Sequence, residues 1–134
     1  MRYLVLVLLI LSAHFALTPF APAPKAWIGW PFAIDSKPWL GFIGGLPSQP
    51  GSLVTTFLAG LAGLGFLAAA VGLFWQAIPT AWWPVLVIGA AVSSALVFVL
   101  YFGVWALVPL ALDVILILGV TWLNWSAYGF RGGN

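Results

Sequence analysis

Charged side chains are so scarce in this chain that they could not cover the surface of a fold in water. Six of the 134 residues carry a formal charge, which is 4% of the chain, whereas about 25% is usual in a soluble domain. They are Arg2, Lys25, Asp35, Lys37, Asp113 and Arg131. Because 64% of the residues are hydrophobic, we predict an integral membrane protein whose main surroundings are the lipid bilayer.

The same composition excludes several kinds of site. The chain has no cysteine and one histidine, and its two acidic residues are both aspartates, so no disulfide, thiolate site or conventional metal cage can form within it. The usual glycine-rich phosphate loops are missing from the sequence. There is no basic patch, so we do not expect nucleic acid as a partner. Because no catalytic set of residues is recognisable, we expect neither an enzyme nor a bound cofactor.

The apolar stretches predict an all-α bundle of four membrane-spanning helices, which form one domain over residues 1–134. The predicted helices cover residues 3–19, 52–75, 83–100 and 106–125. The last two come from one apolar run of about 40 residues, which is twice the length that a single span needs. We therefore expect a tight turn around Gly103. Pro84 and Pro109 then lie in first helical turns, where a missing N–H does no harm.

The first apolar stretch has two interpretations. Arg2, the apolar run and Ala21-Pro22-Ala23 together resemble a secretory signal peptide. Pro24 would follow the cleavage site directly, which is unfavourable for the peptidase. An uncleaved first helix is therefore the preferred interpretation, with a removed signal peptide as the alternative.

Residues 20–51 differ in kind from the four apolar stretches. Prolines and glycines are too dense there for a regular spanning helix. Trp27, Trp30 and Trp39 favour the headgroup level of the bilayer, where an apolar ring and a polar N–H are both satisfied. We predict a folded interfacial loop, in which Asp35 or Ser36 could cap a short helix.

Aromatic residues near the ends of the predicted helices form two belts. One belt contains Trp75, Trp82, Trp83, Trp122, Trp125 and Tyr128, and the other contains Tyr101, Trp105 and the loop aromatics. Arg2, the amino terminus and Arg131 lie on one side of the predicted bundle, and Lys25 and Lys37, offset by Asp35, lie on the other. The positive-inside rule then favours a cell (inner) membrane protein with both termini in the cytoplasm and the loop outside.

Polar side chains within the predicted spans are few and collect at one depth. Counted from the face that carries the loop, at about 1.5 Å per residue, they lie roughly 6–12 Å into the membrane. This predicted polar layer comprises His14, Thr55, Thr56, Ser93, Ser94 and Asp113, with Ser12 slightly deeper than His14. The opposite half of the membrane has almost no polar side chains, so this layer is a candidate for polar contacts between helices or for a ligand site.

Asp113 is the most informative member of the layer, because a charged residue costs about 2.5–3.5 kcal/mol at the bilayer centre on insertion scales. Either it is neutral and donates to Ser94 or a backbone carbonyl, or it is ionised and paired with protonated His14. One interpretation is a hydrogen-bonding group that only holds helices together. Another is the polar anchor of a small outward-open pocket beneath the loop. A proton relay is disfavoured, because polar groups do not continue to the other face.

The second helix is rich in small residues spaced four apart, a pattern that lets helix backbones approach closely in lipid. The pairs are Ala59/Gly63, Gly65/Ala69 and Ala68/Gly72. Because they cover more than one side of the helix, we expect this helix to be central and to contact two neighbours.

The layout of the chain resembles the DoxX-like group of small four-helix membrane proteins. The similar features are the first helix, the long aromatic loop, the Gly-rich segment from Leu61 to Gly72 and two closely spaced final helices. The resemblance implies a bacterial inner-membrane protein, sometimes an accessory partner of respiratory or thiol-oxidising enzymes. It assigns no functional residue, because no functional position of that group matches one here.

Two functions are compatible with these features. The preferred one is a non-catalytic accessory or scaffold subunit, with another membrane protein or a second copy of the chain as partner. The alternative is a binder or carrier of a hydrophobic small molecule, a lipid or a quinone, near Asp113 and Trp39. A channel or transporter is less favoured, because no polar path crosses the other half of the membrane.

Overall fold

The computed structural model of the chain describes residues 1–20, 53–76 and 78–132. The described residues form helices and turns and contain no strand. The α-helices are α1 (Arg2–Ala16), α2 (Leu53–Gly72), α3 (Trp83–Leu100), α4 (Leu107–Thr121) and the short α5 (Ala127–Phe130). Short 3-10 turns at Thr18–Phe20, Thr80–Trp82 and Val104–Ala106 extend α1, α3 and α4, and with them α1 to α4 are long and apolar enough to cross a membrane.

The helix boundaries follow the sequence closely where a breaker sets them. Helix α3 begins and ends at the predicted residues, with Pro84 in its first turn, and the chain turns at Gly103 before α4. Helix α4 ends at Thr121, four residues earlier than predicted, because the chain bends there and the Trp125 amide donates a 2.9 Å hydrogen bond to the Gly119 carbonyl. Nearly all of the predicted interfacial loop, with Trp27, Trp30 and Trp39, lies outside the described residues.

Helices α1 to α4 form a closed ring in which each helix has two neighbours. Helix α2 packs against α1 and α3, α3 also packs against α4, and α1 contacts α4. As predicted, α2 has two neighbours, although in this ring every long helix does. Successive helices run antiparallel, so the end of α1, the start of α2, the end of α3 and the start of α4 share one end of the bundle.

Small residues of α2 lie where other elements approach it. A Cβ at Gly65 would stand 2.8 Å from the Ala90 Cβ of α3, and one at Gly72 would stand 3.2 Å from Trp83. A Cβ at Gly63 would overlap the side chain of Leu17. Ala69 is fully buried. The small residues of α2 therefore allow close approach of two neighbours, α3 and the end of α1.

Aromatic rings close the end of the bundle that carries Arg2. Trp83 is fully buried, its indole N–H donates a 2.9 Å hydrogen bond to the Ala69 carbonyl, and its ring meets Phe130 edge-on at 5.9 Å. Trp125 also packs against Phe130, with the two ring centres 6.2 Å apart. Membership of an aromatic belt was therefore the wrong expectation for Trp83, which fills the interior because its N–H finds a carbonyl there.

Candidate functional site

Asp113 lies on the inward face of α4. The buried residues Pro109, Asp113, Leu116 and Val120 follow a helical spacing of three or four, which places the carboxyl group in line with core side chains. Only 1% of the Asp113 surface is exposed. The aspartate therefore points into the bundle rather than toward the surrounding medium.

The carboxyl group of Asp113 has no hydrogen-bond partner among the described residues. The Ser94 hydroxyl of α3 is adjacent to it, but the two groups do not meet the geometry of a hydrogen bond. The Ser94 hydroxyl and the Ser12 hydroxyl of α1 are also buried and unpaired. Three helices thus each carry a buried polar group with unmet hydrogen-bonding capacity, which is uncommon in a folded interior.

These three groups, which we call the buried polar triad (Ser12, Ser94 and Asp113), lie toward one end of the bundle. Asp113 follows the start of α4 by six residues and Ser94 precedes the end of α3 by six, so each is about 9 Å along its helix from that end. Ser12 precedes the end of α1 by four residues, or about 6 Å. The three residues thus lie within one helical turn of each other along the bundle, and their shared depth in a membrane stays a prediction.

Other residues of the predicted polar layer are placed differently. The Ser93 hydroxyl is buried but donates a 2.8 Å hydrogen bond to the Gly89 carbonyl of its own helix. The Thr55 hydroxyl lies 3.2 Å from the Tyr101 hydroxyl, and both residues are buried. Thr56 is exposed on the outer side of α2. Tyr101 thus links the start of α2 to the α3–α4 turn, whereas the sequence placed it in an aromatic belt.

His14 is not part of the buried polar triad. Its side chain is exposed on α1, and its ring contacts Phe15 edge-on at 5.6 Å. Neither oxygen of Asp113 accepts a hydrogen bond from His14 or another described residue, and His14 is exposed whereas Asp113 is buried, so the two side chains face different surroundings. The reason is rotation about the helix axis, since His14 is two residues beyond Ser12 and so faces a different direction.

The sequence did not reveal the role of Arg131. Its guanidinium donates to the carbonyl oxygens of Gly72, Trp75 and Ile78, with Nε 2.9 Å from the first, a terminal nitrogen 2.7 Å from the second and 3.2 Å from the third. A terminal nitrogen also donates to Gly72. Arginine near a helix C-terminus satisfies carbonyls that have no partner within the helix. A basic residue after the last apolar stretch was the available signal, but it did not indicate which helix would receive it.

Two glycines on the outside of the bundle have open space where a side chain would stand. A Cβ at Gly60 of α2 or at Gly89 of α3 would meet nothing within 4 Å. The groove beside Gly60 also contains Thr56 and Leu64, and Leu61 separates it from the groove beside Gly89. We call this surface, formed by Thr56, Gly60, Leu61, Leu64 and Gly89, the open-glycine face.

No protein-family model, curated protein or solved structure matches this chain. The resemblance to the DoxX-like group therefore receives no support from these comparisons and stays a prediction.

Proposed function

We propose that this chain is a multi-pass protein of the cell (inner) membrane, with both termini in the cytoplasm, and that it serves as a non-catalytic accessory or scaffold subunit. The outer sides of its four long helices support insertion in lipid, because they expose large apolar side chains throughout. Examples on each helix are Val7, Leu64, Val92 and Val114. Water would leave this surface unfavourably hydrated, whereas lipid tails match it.

The open-glycine face carries the proposal of a partner. Where helices pack together, a neighbouring side chain occupies the space beside the glycine, as Ala90 does beside Gly65. Gly60 and Gly89 also lack a side chain, but no described residue occupies the space beside them. In lipid, small residues at a helix surface promote association because they allow two backbones to approach closely.

The shape of this face fits a single transmembrane helix of a partner. Its two grooves have volumes of about 280 Å³ beside Gly60 and about 140 Å³ beside Gly89. Leu61 lines both grooves, so a helix lying along the junction of α2 and α3 would contact both glycines. A second copy of the chain could supply that helix as well as a different protein could.

The test is native extraction of the protein from its membrane with a lipid-retaining polymer, followed by measurement of particle mass and of co-purifying chains. The wild type is expected in a complex larger than one chain. Gly60→Leu combined with Gly89→Leu fills both grooves and is expected to release the single chain. Gly103→Leu is the matched control, because Gly103 is also open but lies in the α3–α4 turn.

Recovery of the wild type as a single chain with no partner would contradict the accessory role. So would an unchanged complex in the double variant. The control should keep the wild-type mass, which separates filling of the face from a general effect of adding a leucine.

The alternative function, binding a lipid or quinone near Asp113, is favoured by one specific observation. The buried polar triad contains hydroxyl and carboxyl groups with no partner among the described residues, and an apolar pocket commonly uses a few such groups to orient a ligand. Asp113→Leu should then abolish retention of the small molecule on mass spectrometry of the purified protein. Equal retention by the wild type and this variant would rule the triad out as the anchor.

A further inference from the structure

A second feature of the outer surface is an apolar groove between α1 and α2, on the half of the bundle that carries the chain termini. Its volume is about 590 Å³. It is lined by Leu6 and Ile10 from α1, by Leu67, Ala70 and Val71 from α2, and by Phe74 from the turn that follows α2. Leu6 and Ile10 are one helical turn apart, so the groove extends over about one turn of α1.

Arg2 stands at one end of this groove. It precedes Leu6 by one helical turn and therefore lies on the same side of α1. Its guanidinium carbon is 4.8 Å from the centre of the Phe74 ring, which itself lines the groove. The cation is thus fixed at the groove's end by a cation–π contact.

The guanidinium of Arg2 has contacts but no anionic partner in the described part of the chain. It lies 3.5 Å from the Tyr3 hydroxyl and over the rings of Tyr3 and Phe74. Arg131 is the contrasting case, because carbonyl oxygens engage its guanidinium at the end of α2. Most N–H groups of the Arg2 guanidinium therefore have no acceptor among the described residues.

Helix stability does not explain a cation at this position. Arg2 is the first residue of α1, whose first turn contains no acidic residue and whose N-cap residue, Met1, makes no side-chain capping bond. A positive charge at a helix N-terminus opposes the helix dipole. The dipole and Arg2 together give the end of the groove a positive potential that an anion would neutralise.

We propose that the α1–α2 groove binds an anionic phospholipid, with an acyl chain along Leu6 and Ile10 and the phosphate on Arg2. An arginine fork matches the oxygens of a phosphate in a bidentate manner. Trp75, which also lines the groove and is 66% exposed, lies at the headgroup level beside that phosphate. This assignment rests on the proposed membrane location but not on the proposed partner.

The test is native mass spectrometry of the full chain released from vesicles of equimolar phosphatidylglycerol and phosphatidylcholine with identical acyl chains. Both lipids offer a phosphate to Arg2, but the choline ammonium of phosphatidylcholine is repelled by the positive end of the groove, so we expect the wild type to retain phosphatidylglycerol about fivefold in excess. Arg2→Gln should bring the ratio close to one. Leu67→Trp fills the groove and should lower the retention of both lipids.

Leu96→Trp is the matched control, because Leu96 is an exposed leucine of α3 that lies outside both the α1–α2 groove and the open-glycine face, and the variant should leave lipid retention unchanged. Equal retention of the two lipids by the wild type, or unchanged retention in Leu67→Trp, would overturn the assignment. Displacement of the lipid by millimolar inorganic phosphate would also overturn it, since it would indicate a simple anion site.

Two further measurements separate this site from the proposed function. If the wild type fails to float with vesicles, the membrane location is wrong and the lipid site is wrong with it. If Gly60→Leu with Gly89→Leu loses the partner but keeps the lipid ratio, the two surfaces act independently, as the lipid assignment expects. A lipid ratio that falls in that double variant would contradict the assignment to α1 and α2.

Discussion

The Nε–H of Arg131 donates a 2.9 Å hydrogen bond to the carbonyl oxygen of Gly72, 59 residues earlier in the chain. Through this contact the segment after α4 closes over the end of α2. We call this contact between Arg131 and the end of α2 the clamp. Helix α5 precedes Arg131 directly, and its N-cap residue Ser126 accepts a 3.2 Å hydrogen bond from the Gly129 amide through its hydroxyl. Beneath it, Phe130 packs on Trp83, so polar and aromatic contacts close the same end of the bundle.

Replacing Arg131 with glutamine should destabilise the protein by about 2 kcal/mol, because hydrogen bonds from a charged donor are among the stronger ones. The carbonyls of Gly72, Trp75 and Ile78 would lose their donor. The measurement is unfolding by added SDS in mixed micelles, followed by circular dichroism. Arg2→Gln is the control and should change stability by less than about 0.5 kcal/mol. A similar loss in both variants would mean that the clamp is not the cause.

Replacing Trp83 with phenylalanine should cost about 1 kcal/mol of unfolding free energy, because the Ala69 carbonyl loses its 2.9 Å donor while a ring still fills the space. The neighbouring Trp82 is 62% exposed and provides the control. Trp82→Phe should leave the SDS midpoint unchanged. Equal midpoints for the two variants would contradict a structural role for the Trp83 N–H.

Adding a methyl group at Gly65 should separate α2 from α3. The new Cβ would stand 2.8 Å from the Ala90 Cβ, and that short side chain cannot move aside. We expect Gly65→Ala to cost about 1–3 kcal/mol, as overpacking does. Gly60→Ala, on the same helix but in open space, should be neutral or stabilising by up to about 1 kcal/mol through helix propensity. The reverse order of stabilities would show that these two glycines have been assigned to the wrong surfaces.

Replacing Asp113 with leucine should raise the free energy of unfolding, since a buried polar group without a partner costs about 1–3 kcal/mol. Asp113→Asn keeps a polar group and should change stability little. Both variants can be compared with the wild type by SDS unfolding. A loss of stability in Asp113→Leu would mean that a partner for the carboxyl group comes from outside the described residues.

The four long helices could be predicted from the sequence because breakers and apolar length set their limits. Pro84 and Gly103 bracket α3, and its observed ends agree with the prediction. The end of α4 could not be predicted from local sequence, since Trp122 and Leu123 are as apolar as the helix before them. There the chain bends so that the Trp125 ring covers Gly119 and the Trp125 amide bonds the Gly119 carbonyl, a local contact that residue hydrophobicity does not indicate.

The candidate site could be predicted only in part. The depth of Asp113, Ser94 and Ser12 follows from counting residues along helices. Whether a side chain points inward depends on how each helix is rotated in the bundle, and this rotation excluded His14 and Thr56 from the interior. Hydrophobic periodicity could not indicate the rotation, because these helices are apolar on every side.

The sequence by itself determined that this chain has four apolar helices and too few charges to cover a water-soluble fold, because both follow from composition and local length. Only the tertiary structure decided which groups meet. It placed Arg131 on the end of α2, Trp83 in the interior and Asp113 beside Ser94. These choices arise from close packing of helices whose surfaces are nearly uniform in hydrophobicity, so side-chain size and hydrogen-bonding geometry, rather than polarity, fix their arrangement.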